Sequence, residues 1–196
     1  MTKQNPKRQE IMAETQKLFA RYGYDGFTMR SLAKACDVSL SSIYHHFDDK
    51  DVLLKAVYTA VNTDLGSRRA ELPECATASE QLMQRIRFQF DNAEHILFVL
   101  RYYLHFRHTF AKQDRGYLGE KAYLHILEVL EYGVQTGEFR LTQPIDDEAK
   151  IIAHSINGFV LEYFPESLAA DEYDKLVSSI HEFVVRSLHN TAGNTA

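Results

Sequence analysis

Cysteine, proline, tryptophan and long apolar runs are scarce in this sequence. Its 196 residues include two cysteines, four prolines and no tryptophan. The longest apolar run, from Ile96 to Leu100, stops at Arg101, whereas a bilayer span needs ~18 apolar residues. The mostly polar residues 1–8 are not followed by an apolar segment, so we predict neither a signal peptide nor a membrane partner. We therefore expect a cytoplasmic protein.

Motifs of catalysis and metal binding are missing as well. The sequence has no His-Glu-x-x-His, no Gly-x-Ser-x-Gly and no phosphate-binding glycine loop. Cys36 and Cys75 lack the Cys-x-x-Cys spacing of zinc and redox sites, and a reducing cytoplasm disfavours a disulfide between them. We predict no enzyme activity, no cofactor and no bound metal.

Three histidines nevertheless deserve comparison with a metal site. His105 and His108 lie three residues apart on one predicted helix face, and His125 lies on the next predicted helix. Histidines in such an arrangement can bind a metal, but no carboxylate or cysteine stands at a supporting spacing. Surface or pocket positions are the favoured interpretation, and a metal-responsive protein is kept as an alternative.

The net charge of −5 is unevenly distributed along the chain. Residues 1–58 hold nine of the 22 Lys and Arg residues and seven of the 27 Asp and Glu residues, a balance of +2. The remaining residues therefore carry −7. A mildly basic end on an acidic body suits a protein that presents that end to phosphates.

Almost every segment places its apolar residues at helical spacing, and none shows the sustained alternation of a strand. This pattern predicts an all-α protein with about nine helices. The first predicted helix runs from Pro6 to Tyr22, where Gly23 ends it and Gly26 supplies the positive φ of the turn. Asp48 or Asp49 is the predicted N-cap of the long fourth helix, whose predicted apolar stripe includes Val52.

The second and third predicted helices form a compact pair. Thr28 is a good N-cap for the second helix, and Ser39 caps the third, from Leu40 to His46. Only residues 36–39 link them, which forces a steep crossing and leaves the third helix projecting. Its hydroxyls and imidazoles can donate to phosphates and base edges in a major groove. The pattern favours a helix-turn-helix, and a plain three-helix bundle is the alternative.

A specific set of motifs runs from residue 23 to residue 54. It comprises Gly-x-x-Gly before Thr28, Leu-Ala at 32–33, Val-Ser at 38–39, Tyr44-x-x-Phe47, and Lys50 followed by an aliphatic pair. The combination resembles the tetracycline-repressor (TetR) family, over roughly a quarter of the chain. The resemblance implies an all-α homodimer whose two helix-turn-helix heads read a palindromic operator in double-stranded DNA. It also implies that a small-molecule effector controls release from the DNA.

The resemblance also implies roles for residues of the head. Thr28 and Lys50 match phosphate contacts. The matching positions on or beside the recognition helix are Ser39, Ser41, Ser42, Tyr44, His45 and His46. Asp37 stands where a glycine is common, and aspartate tolerates the left-handed conformation better than most residues. We therefore assign residues 1–50 to a DNA-binding head and residues 51–196 to a helical ligand-binding and dimerisation domain.

Two sites are expected in residues 51–196. The last two helices of the family pair with those of a partner, and the predicted dimer interface consists of Ile152, Ser155, Ile156, Phe159, Ile180, Phe183 and Val184. An apolar pocket with a few polar tips suits a ligand, and the predicted lining is Phe88, Phe98, Tyr102, Tyr103, His105, Phe106, Tyr123 and Tyr163. The alternatives are a metal-responsive regulator on the same scaffold, and a helical carrier or enzyme with a vestigial DNA head.

Overall fold

The structure, a computed structural model, describes residues 6–109, 121–164 and 168–189. Within these ranges the chain forms helices and no strand, which confirms the predicted all-α class. The nine helices of the described ranges are α1 (Pro6–Gly26), α2 (Met29–Ala35), α3 (Leu40–His46), α4 (Lys50–Ala70), α5 (Ala78–Asp91), α6 (Ala93–Phe106), α7 (Lys121–Gln135), α8 (Ile145–Tyr163) and α9 (Ala170–His189). None of these helices combines the length and the apolarity that crossing a membrane requires.

The chain divides into two compact units. The first comprises residues 1–70 and 94–109, and the second comprises residues 71–93 and 110–196. This division differs from the predicted boundary at 50/51, because α4 and most of α6 pack with the head helices. Leu53 and Val57 of α4 are buried, and the Phe98 ring of α6 lies 5.0 Å from the ring of Phe19.

The end of α1 is set by a glycine. Gly23 has φ 67 and ψ −169, so the regular helix breaks there, as the sequence predicts. The positive φ expected of Gly26 belongs to Gly23 instead. Gly26 serves close approach, because a Cβ at that position would lie 2.9 Å from the Cβ of Tyr22.

The start of α4 fixes which of its faces is buried. Oδ1 of Asp49 accepts a hydrogen bond from the Val52 amide at 2.8 Å, an N-cap that the sequence anticipates. From there Leu53, Leu54 and Val57 turn inward. Val52 was expected on the buried face of α4 but is 46% exposed. The buried face is rotated toward Leu54, which is fully buried, and away from Val52.

In the second unit α5 packs against α7, α8 and α9. Its N-terminus is doubly capped. Thr77 and Glu80 form a capping box, and the Glu138 carboxylate accepts from the amides of Ala78 and Ser79 at 2.7 and 2.8 Å. These acceptors satisfy amides that a helix start leaves without an intrahelical partner, so the central helix is firmly anchored.

A glycine on α7 makes room for the loop that follows. Phe139 is 2% exposed, and a Cβ on Gly133 would lie 2.1 Å from Cδ2 of its ring. Only glycine fits at position 133, because the Phe139 ring packs directly against its backbone.

Replacing Gly133 with Ala is expected to destabilise the protein by ~1–3 kcal/mol, because the buried ring has to move to accept the methyl group. Gly66→Ala is the matched control, since a Cβ at that helical position meets nothing within 4 Å. The control is expected to stabilise by ~0.5–1 kcal/mol through helix propensity. Urea unfolding followed by circular dichroism at equal protomer concentration measures both. Shifts of the same sign for both variants would contradict this account.

Candidate nucleic-acid interface

Local hydrogen bonds shape the turn between α2 and α3. Thr28 caps α2 in a capping box with Ser31, as its position predicts for the N-cap. Asp37 has φ 51, the left-handed conformation expected at this position. The Ser39 hydroxyl then accepts from the Ser42 amide at 3.1 Å and starts α3. The two helices are thereby joined by a short turn of defined geometry.

The two faces of α3 differ in burial. Ile43 is fully buried and Phe47, just after the helix, is 2% exposed. The predicted DNA-binding residues lie on the other side: Ser39, Ser41, Tyr44 and His45 are exposed, and Ser42 and His46 are half-buried. The structure therefore brings the predicted row together on one outward surface, which we call the α3 surface.

Lys50, which the sequence predicts as a phosphate contact, forms hydrogen bonds within the head. Its Nζ donates to the carbonyl oxygens of Tyr24 at 2.5 Å and Phe27 at 2.6 Å. Burial lowers the pKa of Lys50, and the nearby Asp25 and Asp51 oppose that shift. The ammonium thus ties the start of α4 to the segment between α1 and α2. Its contact with a phosphate remains a prediction.

The Tyr24 ring is held on both faces. The His105 ring stacks on it at 3.6 Å between centroids and 11° between planes, and Nζ of Lys50 lies 3.7 Å from the Tyr24 centroid. Two groups this close to one ring cannot share a face, so they enclose it. The phenol donates to Oδ1 of Asp51 at 2.7 Å, and this bond is the main reason that the pKa of Tyr24 rises to about 12. The sequence analysis missed Tyr24, although its place between two turn glycines is a signal.

The exposed part of the head combines hydroxyl, phenol and imidazole groups on a short helix with a fixed buried face. Thr28 is exposed at the start of α2. Arg8 lies over the Phe47 ring at 4.8 Å and covers the end of α3. This geometry defines a helix-turn-helix protein of the DNA-binding type.

Comparisons with known proteins agree with this class. The family model "Bacterial regulatory proteins, tetR family" matches residues 11–57. The HTH-type transcriptional repressor AcnR of Corynebacterium diphtheriae is 27% identical over 93% of this chain and 94% of its own length. Residues 11–57 thus carry the TetR-family pattern that the sequence motifs predicted, and the likeness to a TetR-type repressor extends over most of the chain.

Two solved structures share the fold over nearly the whole chain. The ketosteroid transcriptional regulator KstR2 of Mycobacterium tuberculosis has a TM-score of 0.74 at 18% identity, covering 95% of this chain and 96% of its own. The regulator FadR of Bacillus subtilis, solved in complex with stearoyl-CoA, has a TM-score of 0.68 at 20% identity, covering 92% of this chain and 99% of its own. The N-terminal helix-turn-helix followed by a helical domain is thus the fold that this chain shares with these two regulators.

The predicted pocket residues are divided between the two units. Phe98, Tyr102, Tyr103, His105 and Phe106 lie in the first unit. Phe98 and Tyr102 are almost fully buried there, and the Tyr102 ring stacks on Tyr58 at 4.3 Å. These rings fill the core of the first unit, because α6 packs with the head helices.

The other three predicted pocket residues lie in the second unit. Phe88 is 5% exposed, and Tyr123 lies under the ammonium of Lys150 at 5.1 Å. Tyr163 borders a cavity of about 130 Å³. The lining of this cavity consists of Phe90, Ala93, Val160, Tyr163, Phe164, Leu168 and Tyr173. Sequence spacing missed Phe90 and Tyr173, because it cannot tell which rings of an aromatic-rich set border an empty space.

The predicted dimer interface requires a correction. Ile152, Ile156, Ile180 and Val184 are at most 3% exposed and lie in the core of the second unit. They are buried within the protomer because α8 and α9 both pack against α5. These four side chains leave no surface for a partner. We therefore remove them from the predicted dimer interface.

The remaining predicted interface residues are accessible. Ser155 is half-buried, Phe159 is 36% exposed and Phe183 is 66% exposed. Ile151, which the sequence analysis did not assign to the interface, is 51% exposed. It lies on the face of Ser155 and Phe159, since the three follow helical spacing at i, i+4 and i+8.

In the described part of the chain, no three His, Cys, Asp or Glu side chains come together as metal ligands. His105 is stacked on Tyr24, and Nε2 of His125 lies 3.0 Å from Nε2 of Gln89, with both side chains buried. The metal-responsive alternative gains no support from these histidines.

Lys50→Ala is expected to lower the free energy of unfolding by ~1–3 kcal/mol, because it removes two charge-assisted hydrogen bonds to backbone carbonyls. Lys55→Ala is the matched control on the same helix, where the side chain is exposed, and a change within ~0.5 kcal/mol is expected. Urea unfolding monitored by circular dichroism compares the two variants. Equal losses for both would show that the Lys50 bonds contribute nothing specific.

Proposed function

We propose that this chain is a transcriptional repressor that acts in the cytoplasm, binds a palindromic operator as a homodimer and is released by a small-molecule effector. The observation that carries the proposal is the α3 surface. Ser41, Tyr44 and His45 are exposed on a helix whose opposite face is fixed by Ile43 and Phe47.

The dimensions of α3 suit a major groove. An α-helix with its side chains is ~10–12 Å across, and the major groove of B-DNA is ~12 Å wide, so a helix can enter it. The serine side chains allow close approach of the backbone, while Tyr44 and His45 extend toward base edges and phosphates. Thr28 and Lys50 are the proposed phosphate contacts beside the groove. Phosphate contacts set the position, and contacts from α3 set the sequence preference.

A dimer supplies the second head. One short helix reads few base pairs, and two heads related by symmetry read half-sites about 34 Å apart. The exposed apolar side chains Ile151, Phe159 and Phe183 on the last two helices support a partner surface there. A Cβ at Gly158 meets nothing within 4 Å in the protomer, which favours close approach of a second copy.

The second unit is the proposed effector domain. FadR of Bacillus subtilis is solved with stearoyl-CoA, and KstR2 is named as a ketosteroid regulator. By analogy with those proteins, we propose that a small molecule binds the second unit here and favours a conformation that fits the operator poorly. Only an effector with different affinities for the two conformations can shift the balance between them.

The test of DNA reading starts from selection of bound sequences out of random duplex DNA, for which a palindromic consensus is expected. Tyr44→Ala is then expected to weaken binding to the selected duplex by about tenfold or more, since a good base contact contributes ~1–3 kcal/mol. Tyr22→Ala is the matched control, because Tyr22 is 54% exposed on α1. Fluorescence anisotropy at one fixed salt concentration measures both affinities.

A consensus without two-fold symmetry would reject the palindromic operator. Equal affinities for the parent, Tyr44→Ala and Tyr22→Ala would reject the α3 surface as the reading surface.

The test of the dimer uses two equally simple charge insertions. Phe183→Asp is expected to raise the dimer dissociation constant by about thirtyfold or more, because it places a charge on a central apolar contact worth ~2 kcal/mol. Val134→Asp is the control, since Val134 is 45% exposed but lies on α7, outside the last two helices. Sedimentation equilibrium measures the dissociation constants. A parent protein that sediments as a monomer, or equal effects of both variants, would contradict the proposed interface.

A further inference from the structure

The cavity of the second unit lies where four helices meet. Phe90 ends α5 beside it, Ala93 begins α6, Val160 lies near the end of α8, and Tyr173 lies in the first turn of α9. Its described lining consists of apolar side chains and two phenols, without a carboxylate, an amine or an imidazole. A charged ligand would lose its hydration there without gaining a partner. The lining therefore selects an uncharged ligand.

The Tyr173 ring is a fixed part of the cavity wall. Its phenol donates to Oδ1 of Asp91 at 2.5 Å, and Arg87 lies 5.8 Å from its ring centroid while paired with Asp174 at 2.9 Å. Burial and the bond to Asp91 raise the pKa of Tyr173, so the phenol remains a donor. Phe90 meets the ring edge-on at 6.3 Å and 87°. Because its polar end is occupied by protein groups, Tyr173 offers its ring to the cavity.

The size of the cavity restricts the ligand further. The pocket has a volume of about 130 Å³ and is partly open to solvent, so it can enclose about one ring while the rest of a ligand extends outward; an enclosed apolar cavity of about 150 Å³ takes up benzene. Aromatic walls also favour a further aromatic ring in edge-to-face or offset contact. We propose that this cavity binds one uncharged aromatic ring of benzene size, which is either the whole effector or one end of it. The regulatory meaning of this site rests on the proposed function, whereas the binding itself is measurable without DNA.

The binding test uses the full chain and benzene as the probe. Saturable binding of one benzene per protomer, followed by chemical-shift changes in nuclear magnetic resonance spectra, is the expected result. Benzoate and benzylammonium carry the same ring with a charge, and each is expected to bind at least tenfold more weakly. Absence of saturable benzene binding up to its solubility, or equal binding of the charged probes, overturns the proposal.

Two variants locate the benzene. Ala93→Leu fills the cavity and is expected to weaken benzene binding at least tenfold, whereas Ala60→Leu adds the same atoms at an exposed position of α4 and is expected to change nothing. If Ala93→Leu does not fold, Val160→Ala takes its place. It enlarges the cavity and is expected to raise the affinity for toluene relative to benzene at least threefold. Unchanged probe affinities in the folded cavity variant overturn the assignment.

The same samples are assayed against the selected duplex, which separates this inference from the proposed function. A protein that binds the duplex but no benzene disproves the cavity assignment and leaves the repressor proposal standing. A protein that binds benzene in this cavity but no duplex DNA disproves the repressor proposal and leaves the cavity assignment standing.

Discussion

A helix of seven residues is too short to persist alone in water, so α3 exists only because its neighbours bury one side of it. Ile43 and Phe47 supply that burial. Their position fixes the rotation of the helix about its own axis, so that Ser41, Tyr44 and His45 are exposed. The surface proposed to read DNA is thus oriented by two side chains that are buried on the opposite side of the helix. The left-handed turn at Asp37 and the ties made by Lys50 hold the same arrangement from its two ends.

Features that depend on local chemistry could be predicted from the sequence. The capping roles of Thr28, Ser39 and Asp49, the break at Gly23 and the left-handed Asp37 all follow from residues within one turn of each position. The all-α class follows from apolar spacing, and α3 has the limits predicted for the third helix. These interactions involve neighbours in the sequence, so a single sequence contains the information that they require.

Features that depend on distant neighbours could not be predicted in the same way. Apolar spacing shows that Ile152 and Phe159 lie on an apolar stretch of α8, but it cannot show that α5 covers one and leaves the other exposed. For the same reason the rings of α6 were assigned to a pocket, although Phe98 and Tyr102 fill the core of the first unit. The contact between Tyr24 and Lys50 could not be predicted either. Their mutual contact joins residues 26 positions apart, and no motif records it.

A buried polar pair in the second unit affects how α5 and α7 align with each other. Gln89 of α5 and His125 of α7, both buried, pair at 3.0 Å. Apolar contacts are not directional, so they specify the axial position of one helix on another less sharply than a hydrogen bond does. A shift by one helical turn, ~5.4 Å, would leave the buried amide and imidazole each without the other. This pair therefore contributes to fixing the position of α5 along the axis of α7.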